Sequence, residues 1–400
     1  MPVDLTKLPQ SLLPLKKFSW WFWAILLLAL VVTGCFITFV VSFFYSISDL
    51  LLVLCSVVVP IGLWMFSLLY GIYYRGYCEA YIKQWNIYRD KRQQQLIDYA
   101  RRGLYVLQFS LITEYGKIGS GNGVANAKYA ITTKPTTNGC HSVAYSSLPL
   151  ASHLDIGNYY ERLKIILAYW RTEHKLLLTE LPIDTNIHVR LFIDTELKDE
   201  KIEELWLNSL GKLIHPASFS IEDTQNSALF TQQWLDNSDY DGDLLLLINA
   251  HLFNSPSQNE AEEALLMLFA GEQAFKKLAD VIDTEQVAKI YRSEQTGELA
   301  KTLDHALLWG QEDKKSYDGV WYSGVSNQQN IDIMKHFNDI EFEPGGIFNI
   351  DTTIGNAKNS AYFFALALAV EYAQSTGNKQ LIVVGEPDIT ASVVTTVAKK

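Results

Sequence analysis

The chain has 400 residues, of which 48% are hydrophobic and 19% are charged, and its formal net charge is −11 at pH 7. A protein this acidic lacks the basic stripe that nucleic-acid binding requires, so nucleic-acid binding is excluded from the expected functions. Its four cysteines show no C-x-x-C spacing. A disulfide framework or a zinc ribbon is therefore not expected, and the chain fits a reducing cytosol.

Two long uncharged runs lie near the N-terminus. The first covers residues 18–44 and the second residues 50–74, with a short break at residues 46–49. At about 1.5 Å of rise per residue, about 25 residues exceed the roughly 30 Å hydrocarbon core of a bilayer. Because only a helix satisfies its own backbone polar groups in lipid, residues 18–74 are expected to contact membrane lipids as two transmembrane helices.

The charges that flank these runs predict their orientation. Lys7, Lys16 and Lys17 precede the first run, seven Lys and Arg residues lie between positions 75 and 102, and the connection holds only Asp49. The positive-inside rule then places both termini in the cytoplasm of a multi-pass protein of the bacterial inner membrane. A cleaved signal peptide is not expected, because the first run is too long and lacks a small-residue cleavage site. The alternative is a buried helical hairpin of a soluble protein, which rarely needs so long an uncharged stretch.

The rest of the chain alternates between strand and helix patterns. Residues 1–75 are predicted to form the anchor, residues 76–103 a juxtamembrane helix or stalk, and residues 104–400 a cytoplasmic α/β domain. Predicted strands cover residues 104–113, 187–193, 243–250, 288–291, 319–322, 347–350, 380–384 and 392–396. Predicted helices cover residues 159–174, 199–213, 260–278, 299–308, 330–337 and 360–374.

Several short motifs are expected to carry no chemistry. Residues 116–150 are predicted to be a flexible connection, because the glycines at 119–123 lack the G-K-[ST] ending of a phosphate loop. The pair Cys140–His141 has no nearby third partner for a metal or nucleophile site. Asp239, Asp241 and Asp243 begin like a calcium loop, but its glycine and closing glutamate are absent. No metal or cofactor is predicted.

Three stretches carry a resemblance to a known family. Residues 221–229, Ile-Glu-Asp-Thr-Gln-Asn-Ser-Ala-Leu, are followed by a helix, a strand and residues 260–266, as D-T-A-C-x-S is followed by a strand and E-A-A-A-x-L-L. Residues 322–325 resemble an H-G-T loop, and residues 351–356 resemble K-x-x-I-G-H. In this order the stretches resemble the thiolase-like superfamily of condensing enzymes, the β-ketoacyl synthases. The resemblance implies an α/β fold of two pseudo-symmetric halves.

The same resemblance assigns the catalytic positions. The position of the nucleophilic Cys falls on Asn226, that of the first His on Tyr322 or Ser323, and that of the second His on Asn356. Condensation needs a thiolate that accepts the acyl chain and imidazoles that assist decarboxylation. An amide cannot be acylated or act as a base, and loss of a nucleophile alone costs on the order of 10⁶ in rate. The resemblance therefore implies a degenerate, catalytically inactive member.

Other residues could restore an activity. A one-residue shift moves the nucleophile position to Gln225 or Ser227, and Ser227 with His251 would form a Ser–His pair. The ordinary roles of these two residues are a helix cap and a strand end, and no G-x-S-x-G elbow is present. Glu262 and Glu263 are expected to lie on a solvated helix face.

Three functions follow from these patterns. The preferred one is a non-catalytic, membrane-anchored scaffold or adaptor. Two helices followed by a degenerate enzyme domain also resemble accessory proteins of bacterial type VI secretion systems, which implies a protein partner in an envelope complex. The second function is a lipid- or acyl-chain-binding module, and the third is a membrane-bound acyl transferase or hydrolase that uses other residues. Tethering in a membrane also favours a homodimer.

Overall fold

The computed structural model describes residues 7–45, 48–136, 141–149, 155–181, 185–278, 286–310, 317–385 and 388–398. The chain divides into two compact units, one of residues 3–97 and the other of residues 98–400 with the first two residues. The first unit is helical and the second is a mixed α/β domain. The boundary lies in the last turn of a long helix.

The helical unit is a hairpin of apolar helices. It contains α1 (Trp20–Ser42), α2 (Asp49–Val53), a π-helical turn (Leu54–Val58) and α3 (Val59–Ala100). The most apolar windows of Trp20–Ser42 and Asp49–Ala100 have mean hydropathies of 2.8 and 2.4, so both helices are long and apolar enough to cross a membrane. Residues 76–100, predicted to continue from the membrane, form the C-terminal part of α3.

Close contacts hold α1 against α3. The indole nitrogen of Trp64 donates a hydrogen bond of 2.8 Å to the carbonyl of Trp23. A Cβ atom on Gly71 would lie 2.6 Å from the ring of Trp23, so only glycine allows the indole this close to α3. Farther along, the side-chain amide of Asn86 accepts from the Leu12 nitrogen at 3.0 Å and donates to the Leu12 carbonyl at 3.1 Å. The N-terminal segment and the polar end of α3 therefore lie on the same side of the hairpin.

The second unit contains two sheets and ten helices among its described residues. Its strands are β1 (Gly103–Ile112), β2 (Thr133–Pro135), β3 (Ser142–Ser146), β4 (Ile187–Asp194), β5 (Ser218–Ile221), β6 (Leu244–His251), β7 (Glu260–Ala261), β8 (Glu263–Ala270), β9 (Gln286–Tyr291), β10 (Tyr317–Ser323), β11 (Ile347–Asn349), β12 (Lys379–Val384) and β13 (Thr390–Ala398). Its helices are α4 (Ser120–Ala125), α5 (Tyr159–Glu173), α6 (Lys175–Glu180), α7 (Asp199–Asn208), α8 (Ser227–Asp236), α9 (Glu272–Leu278), α10 (Leu299–Trp309), α11 (Asn327–Asp339), α12 (Ile350–Thr353) and α13 (Ala361–Thr376).

The main sheet is built from two halves with the same topology. In the described part of the chain its order is β11-β10-β12-β13-β9-β1-β8-β6-β4-β5, and β9 pairs with β1 at the centre. Read from either edge, each half places its third, second, fourth, fifth and first strand in turn. In each half the outer three strands are parallel and the fifth is antiparallel to its neighbours. The predicted α/β fold of two pseudo-symmetric halves is confirmed.

Alternation along the strands divides the core into three layers. In β6, Leu245 and Leu247 face the layer that contains α13, while Leu244 and Leu246 face the layer of α5 and α7. The third layer packs α10 and α11 on the outer side of the second half. Residues 361–370 of α13 are hydrophobic and buried on all sides, as expected in the middle of a domain, and the helix ends at Gly377 in the left-handed conformation.

Two predictions of local structure are wrong. Residues 260–278 form β7, β8 and the short helix α9 instead of one helix. Glu, Ala, Leu and Met favour helix, but the eight residues of β8 are all buried between β1 and β6, and tertiary packing overrides that weak preference. Residues 116–150 are not only a flexible connection, since α4, β2 and β3 lie there. Strand β5 was not predicted.

The central layer predicts a large effect of Phe363→Ala. Phe363 is fully buried on α13, and its ring centroid lies 5.0 Å from that of Phe192 on β4 of the first half. The substitution should lower the free energy of unfolding by about 3–5 kcal/mol, because it removes a buried ring and leaves a cavity. Denaturant unfolding of the full-length protein in micelles measures it. The control is Ile331→Ala on α11, where the side chain is 61% exposed and a change within about 0.5 kcal/mol is expected. Equal losses in both variants would contradict the central role of this layer.

Candidate functional site

The predicted catalytic positions lie at or beyond the carboxyl ends of strands, with Tyr322 and Ser323 as the last two residues of β10. Asn226 ends the 3-10 turn Thr224–Asn226, which follows β5 and leads into α8. Asn356 lies between α12 and the 3-10 turn Lys358–Ser360, and these two 3-10 turns contact each other. The fold therefore brings the segments of Asn226 and Asn356 together at one crevice, where α8 and α13 begin.

The two residues considered for the first imidazole position point in different directions. Tyr322 is buried in the outer layer with Leu381 and Val383, away from α13. The Ser323 hydroxyl donates to one carboxylate oxygen of Asp351 at 2.8 Å, and the Gly324 nitrogen donates to the other at 2.8 Å. Asp351 stands where the K-x-x-I-G-H motif has its lysine. A carboxylate thus occupies the place of a cation and binds the loop that would carry the first imidazole.

Asn356 has a structural role in its turn. Its side-chain oxygen accepts a hydrogen bond of 2.7 Å from the Lys358 nitrogen, while its backbone bonds to Asn259 and Ala261. The preceding Gly355 has φ +118°, and a Cβ atom there would lie 2.9 Å from that of Ala261. The amide therefore closes the turn before α13 and supplies no base to the crevice.

His251 lies at the end of β6 between two carboxylates. Its Nδ1 atom is 2.9 Å from Asp194 Oδ2, and its Nε2 atom is 3.1 Å from Glu260 Oε1. Burial alone lowers the pKa of His251, but the hydrogen bonds to Asp194 and Glu260 outweigh burial and raise it to about 9. Burial likewise favours a higher pKa for Glu260, but hydrogen bonds from His251 and Ser257 lower it to about 2. At neutral pH His251 is therefore an imidazolium with both nitrogens engaged.

A second polar cluster lies beside the first and joins the two halves. The Ser360 hydroxyl, just before α13, donates to Asn249 Oδ1 at 3.2 Å, and Asn249 Nδ2 donates to Glu263 at 2.5 Å. Glu263 is fully buried, and burial raises its pKa well above the usual value, with Asp194 adding to the rise and His251 opposing it. A neutral, protonated Glu263 fits this position.

Glu262 and Glu263 do not lie on the predicted solvated helix face. Both are completely buried, one just before β8 and the other on it. Glu262 pairs with the buried Arg162 and accepts from the nitrogens of Leu148 and Phe253 at 2.9 and 3.0 Å. The interpretation failed because it depended on the wrong helix at residues 260–278.

Ser227 lines a small polar cavity at the start of α8. The cavity has a volume of about 100 Å³. Its walls include Gln225, Ser227, Gln295, Asn359, Tyr362 and Asp388. Amide and hydroxyl groups dominate this list, and Gln295 donates to Asp388 at 3.1 Å. The cavity is smaller than the roughly 300–1,000 Å³ usual for small-molecule pockets.

In the other short motifs, the groups that could bind a phosphate or a metal ion instead bond to side chains of the same chain. The backbone nitrogens of Gly119 and Gly121 donate to the carboxylate of Glu371, so a side chain takes the place that a phosphate would take in a phosphate loop. Asp241 pairs with Arg102, and Asp243 bonds to His188 and Asn186.

Cys140 lies outside the described residues, and His141 is exposed. Among the residues that the structure describes, no group of three or more His, Cys, Asp or Glu side chains could hold a metal.

No protein-family model matches the sequence, and no curated protein matches it. Solved structures do match. The chain is similar to thiolase-like condensing enzymes. A β-ketoacyl synthase from Burkholderia phymatum is 12% identical with a TM-score of 0.49, over 75% of this chain and 100% of that one. The ishigamide ketosynthase/chain length factor is 12% identical with a TM-score of 0.47, over 74% and 100%. Human mitochondrial 3-ketoacyl-CoA thiolase is 9% identical with a TM-score of 0.44, over 75% and 99%.

Sequence reasoning named His251 but not its partners. Asp194 ends one parallel strand and His251 the next, so they face each other at the same edge of the sheet, a relation that strand prediction could have suggested. Glu260 joins them only because residues 260–270 are strand, which the sequence pattern did not indicate. Asp351 carried a signal, since it replaces a lysine in the motif that the chain resembles.

The charges around His251 predict a pH-dependent stability. A folded-state pKa of about 9, above the ordinary 6.5, means that protonated His251 stabilises the fold fully below pH 6.5 and progressively less as the pH rises through 9. The wild type should lose up to about 3 kcal/mol over this range, and His251→Gln should show a flatter profile. Denaturant unfolding of the full-length protein in micelles between pH 6 and pH 9.5 measures both.

The matched control is His141→Gln, at an exposed position, which should keep the wild-type slope. If His251→Gln also keeps that slope, another group titrates and the assignment to this cluster is wrong.

Proposed function

We propose that this protein is a membrane-anchored, non-catalytic ketosynthase-like protein that acts as a scaffold or adaptor at the bacterial inner membrane. The observation that carries the proposal is the identity and bonding of the residues at the three predicted catalytic positions of the crevice. Asn226 stands in place of the thiol, Ser323 is bound to Asp351 in place of the first imidazole, and Asn356 closes a turn in place of the second. None of these side chains can accept an acyl group through a thiolate or act as a general base at neutral pH.

Electrostatics at the crevice support the same proposal. A condensing enzyme must stabilise negative charge on a thiolate and on the developing enolate. Asp351 instead brings a carboxylate to the position of the motif's lysine. A negative group there disfavours the anions on which the chemistry depends.

The geometry of His251 argues against the Ser–His hydrolase. A general base needs a free nitrogen lone pair that can reach the nucleophile. Both ring nitrogens of His251 are within 3.1 Å of carboxylate oxygens, and its raised pKa keeps it protonated at neutral pH. The acyl-chain-binding function also gains no support from the cavity at Ser227, which is small and lined mostly by polar groups.

The membrane placement rests on the helical unit. Both apolar helices are long enough to span a bilayer, and the Leu12–Asn86 hydrogen bonds put the two ends of the hairpin on one side. Lys and Arg residues cluster at those ends, so the positive-inside rule assigns that side to the cytoplasm. This layout, with a degenerate enzyme domain after two helices, is what favours a role accessory to a type VI secretion system, with a protein of that envelope complex as the partner.

Acyl transfer to the crevice should not be detectable. The full-length protein in micelles is incubated with acyl thioesters and with a serine-reactive fluorophosphonate, and the peptide that contains residues 225–227 is analysed by mass spectrometry. We expect no adduct on this peptide, because its amides are not nucleophiles and both nitrogens of His251, the base considered for Ser227, are engaged by carboxylates. An adduct that disappears in Ser227→Ala would overturn the non-catalytic proposal.

The scaffold proposal predicts that a substitution in the crevice leaves the set of bound protein partners unchanged. Crosslinking of intact cells followed by affinity purification should recover the same envelope proteins with the wild type and with Asn226→Ala. A variant that folds normally but loses its partners or its cellular phenotype would show that Asn226 has an active role.

The topology predicts the behaviour of reporter fusions. A reporter that is active only in the cytoplasm, fused after Lys400, should be active, and a periplasm-specific reporter at the same site should be silent. The reverse pattern would reject the proposed orientation without bearing on the chemistry of the crevice.

A further inference from the structure

Three polar side chains form a hydrogen-bonded row in the first half of the main sheet. His188 on β4 lies beside Ser218 on β5, and Asp243 immediately precedes β6. The His188 Nδ1 atom is 2.7 Å from Ser218 Oγ, and its Nε2 atom is 3.1 Å from Asp243 Oδ2. A hydroxyl, an imidazole and a carboxylate in this order are the nucleophile, the base and the orienting group of a serine hydrolase. Asp243 lies at the start of β6 and His251 at its end, about 26 Å away at about 3.3 Å per residue, so this row is separate from the crevice.

The carboxylate of Asp243 determines which nitrogen of His188 carries the proton. An ionised carboxylate only accepts hydrogen bonds, so His188 donates to it through Nε2–H. The Nδ1 atom then has a free lone pair and accepts from the Ser218 hydroxyl, as a general base requires. In the best-known triad the two ring nitrogens have the opposite roles, but a neutral imidazole offers one donor and one acceptor in either tautomer.

Neighbouring side chains hold both the carboxylate and the imidazole in place. Asn186 Nδ2 donates to Asp243 Oδ1 at 3.1 Å, so each carboxylate oxygen has a partner of its own. The His188 side chain belongs to a residue that is only 8% exposed, and its ring centroid lies 5.3 Å from that of Trp234 and 5.0 Å from that of Tyr240. Asp243 and the two aromatic rings are therefore positioning residues that keep the imidazole in one orientation.

Ser218 is accessible and lies beside groups that stabilise negative charge. Among the described strands β5 is an edge strand, and all four of its residues are partly exposed. The Ala217 nitrogen donates to Ile187 on β4 at 2.8 Å, and because amides along a strand point alternately to its two sides, the Ser218 amide points to the free edge. The Arg190 guanidinium, which pairs with Glu222 at 3.4 Å, has its Nη1 atom 3.4 Å from the Ser218 carbonyl oxygen. Both groups favour the negative charge that develops on a carbonyl oxygen under attack.

We propose that Ser218, His188 and Asp243 form a site that hydrolyses short-chain carboxylic esters. Ser218 Oγ attacks the ester carbonyl while its proton passes to His188 Nδ1, and the alcohol leaves with that proton as its bond to the carbonyl carbon breaks. Water then attacks the acyl-Ser218 ester and gives a proton to Nδ1, and the carboxylic acid leaves as Ser218 regains its proton. The sum is one ester and one water converted to one acid and one alcohol.

The position of Ser218 on an edge strand determines the substrate class. Arg190 and Ser220, which share its face of the two strands, are polar, and the aromatic rings lie behind His188. Such an open, polar site gives a long apolar chain little surface to cover, whereas a short acyl group can reach Oγ. The activity goes beyond the scaffold function proposed above and lies outside the crevice, whose lack of condensing chemistry it leaves unchanged.

Labelling of the full-length protein in micelles with a fluorophosphonate tests the proposal. Cleavage after glutamate separates residues 205–222, which contain Ser218, from residues 223–260, which contain Ser227 of the crevice. We expect an adduct on residues 205–222 that is lost in Ser218→Ala, together with the hydrolysis of p-nitrophenyl acetate. His188→Gln should slow both reactions at least about 100-fold, the usual contribution of a general base.

Ser220→Ala is the matched control. Ser220 lies on the same face of β5, but its hydroxyl donates to the Glu222 carboxylate at 2.5 Å and not to an imidazole. This variant should be labelled and should hydrolyse the ester at the wild-type rate. Circular dichroism of each variant checks that the fold is kept, which is expected for Ser218→Ala and Ser220→Ala because both residues are partly exposed.

The positioning role of Asp243 has a spectroscopic test. In Asp243→Asn the bond from Asn186 keeps Oδ1 in place, so the new amide nitrogen faces His188 Nε2 and donates to it. The ring proton must then move to Nδ1, and Ser218 loses its acceptor. Nitrogen NMR of the His188 ring should show the reversed tautomer, and labelling should fall at least about 100-fold. An unchanged tautomer with unchanged labelling would reject the role of Asp243.

The two peptides separate failure of this site from failure of the inactive crevice. An adduct on residues 205–222 alone supports both proposals, and the absence of any adduct rejects only the hydrolase site. An adduct on residues 223–260 alone rejects both. An adduct on residues 205–222 that persists in Ser218→Ala, or an equal loss in Ser220→Ala, would show that Ser218 is not the nucleophile.

Discussion

Helix α13 packs against both halves of the α/β domain, and most of the domain depends on this packing. Residues 361–370 of this helix are hydrophobic on every side and cannot face water, so both halves of the sheet must cover them. Its polar backbone ends then need partners, because unpaired buried groups are costly. At the C-terminal end the Gly377 nitrogen donates to the Ala373 carbonyl, and the N-terminal end follows the turn of Asn356 and Ser360. The crevice therefore lies where this buried helix begins.

This constraint explains how charges are arranged at the crevice. In a region of low dielectric, charge must be paired or neutralised. His251 is paired with Asp194 and Glu260, while Glu263 is neutral and bonded to Asn249. Such networks rigidify the place where two halves meet, whereas an active centre needs unsatisfied groups directed at a substrate. In this crevice both nitrogens of His251 are engaged, while Glu263 Oε2 and the Tyr362 hydroxyl are buried without a hydrogen-bond partner.

The fold was more predictable than the site for a physical reason. Strands such as β6 and helices such as α13 show their identity in long apolar patterns, and their alternation gives the α/β class. The segment 260–270 was misread because a strand buried on both faces loses the period-two signal, and its Glu, Ala and Leu residues favour helix. Because these residues were not recognised as strand, the positions of Glu260 beside His251 and of Glu263 beside Asn249 could not be predicted. Asn226, Ser323 and Asn356 were found because motif spacing places them, but that spacing did not predict that Ser323 bonds to Asp351 or that the backbone of Asn356 bonds to Asn259 and Ala261.

The two hydrogen bonds between Leu12 and Asn86 have a consequence for biosynthesis. The residues they join are separated by 74 positions, and both apolar helices lie between them. The N-terminal segment can therefore dock only after the ribosome has made the entire hairpin and released the polar end of α3. These two hydrogen bonds can therefore form, and complete the helical hairpin, before the α/β domain that follows it has been synthesised.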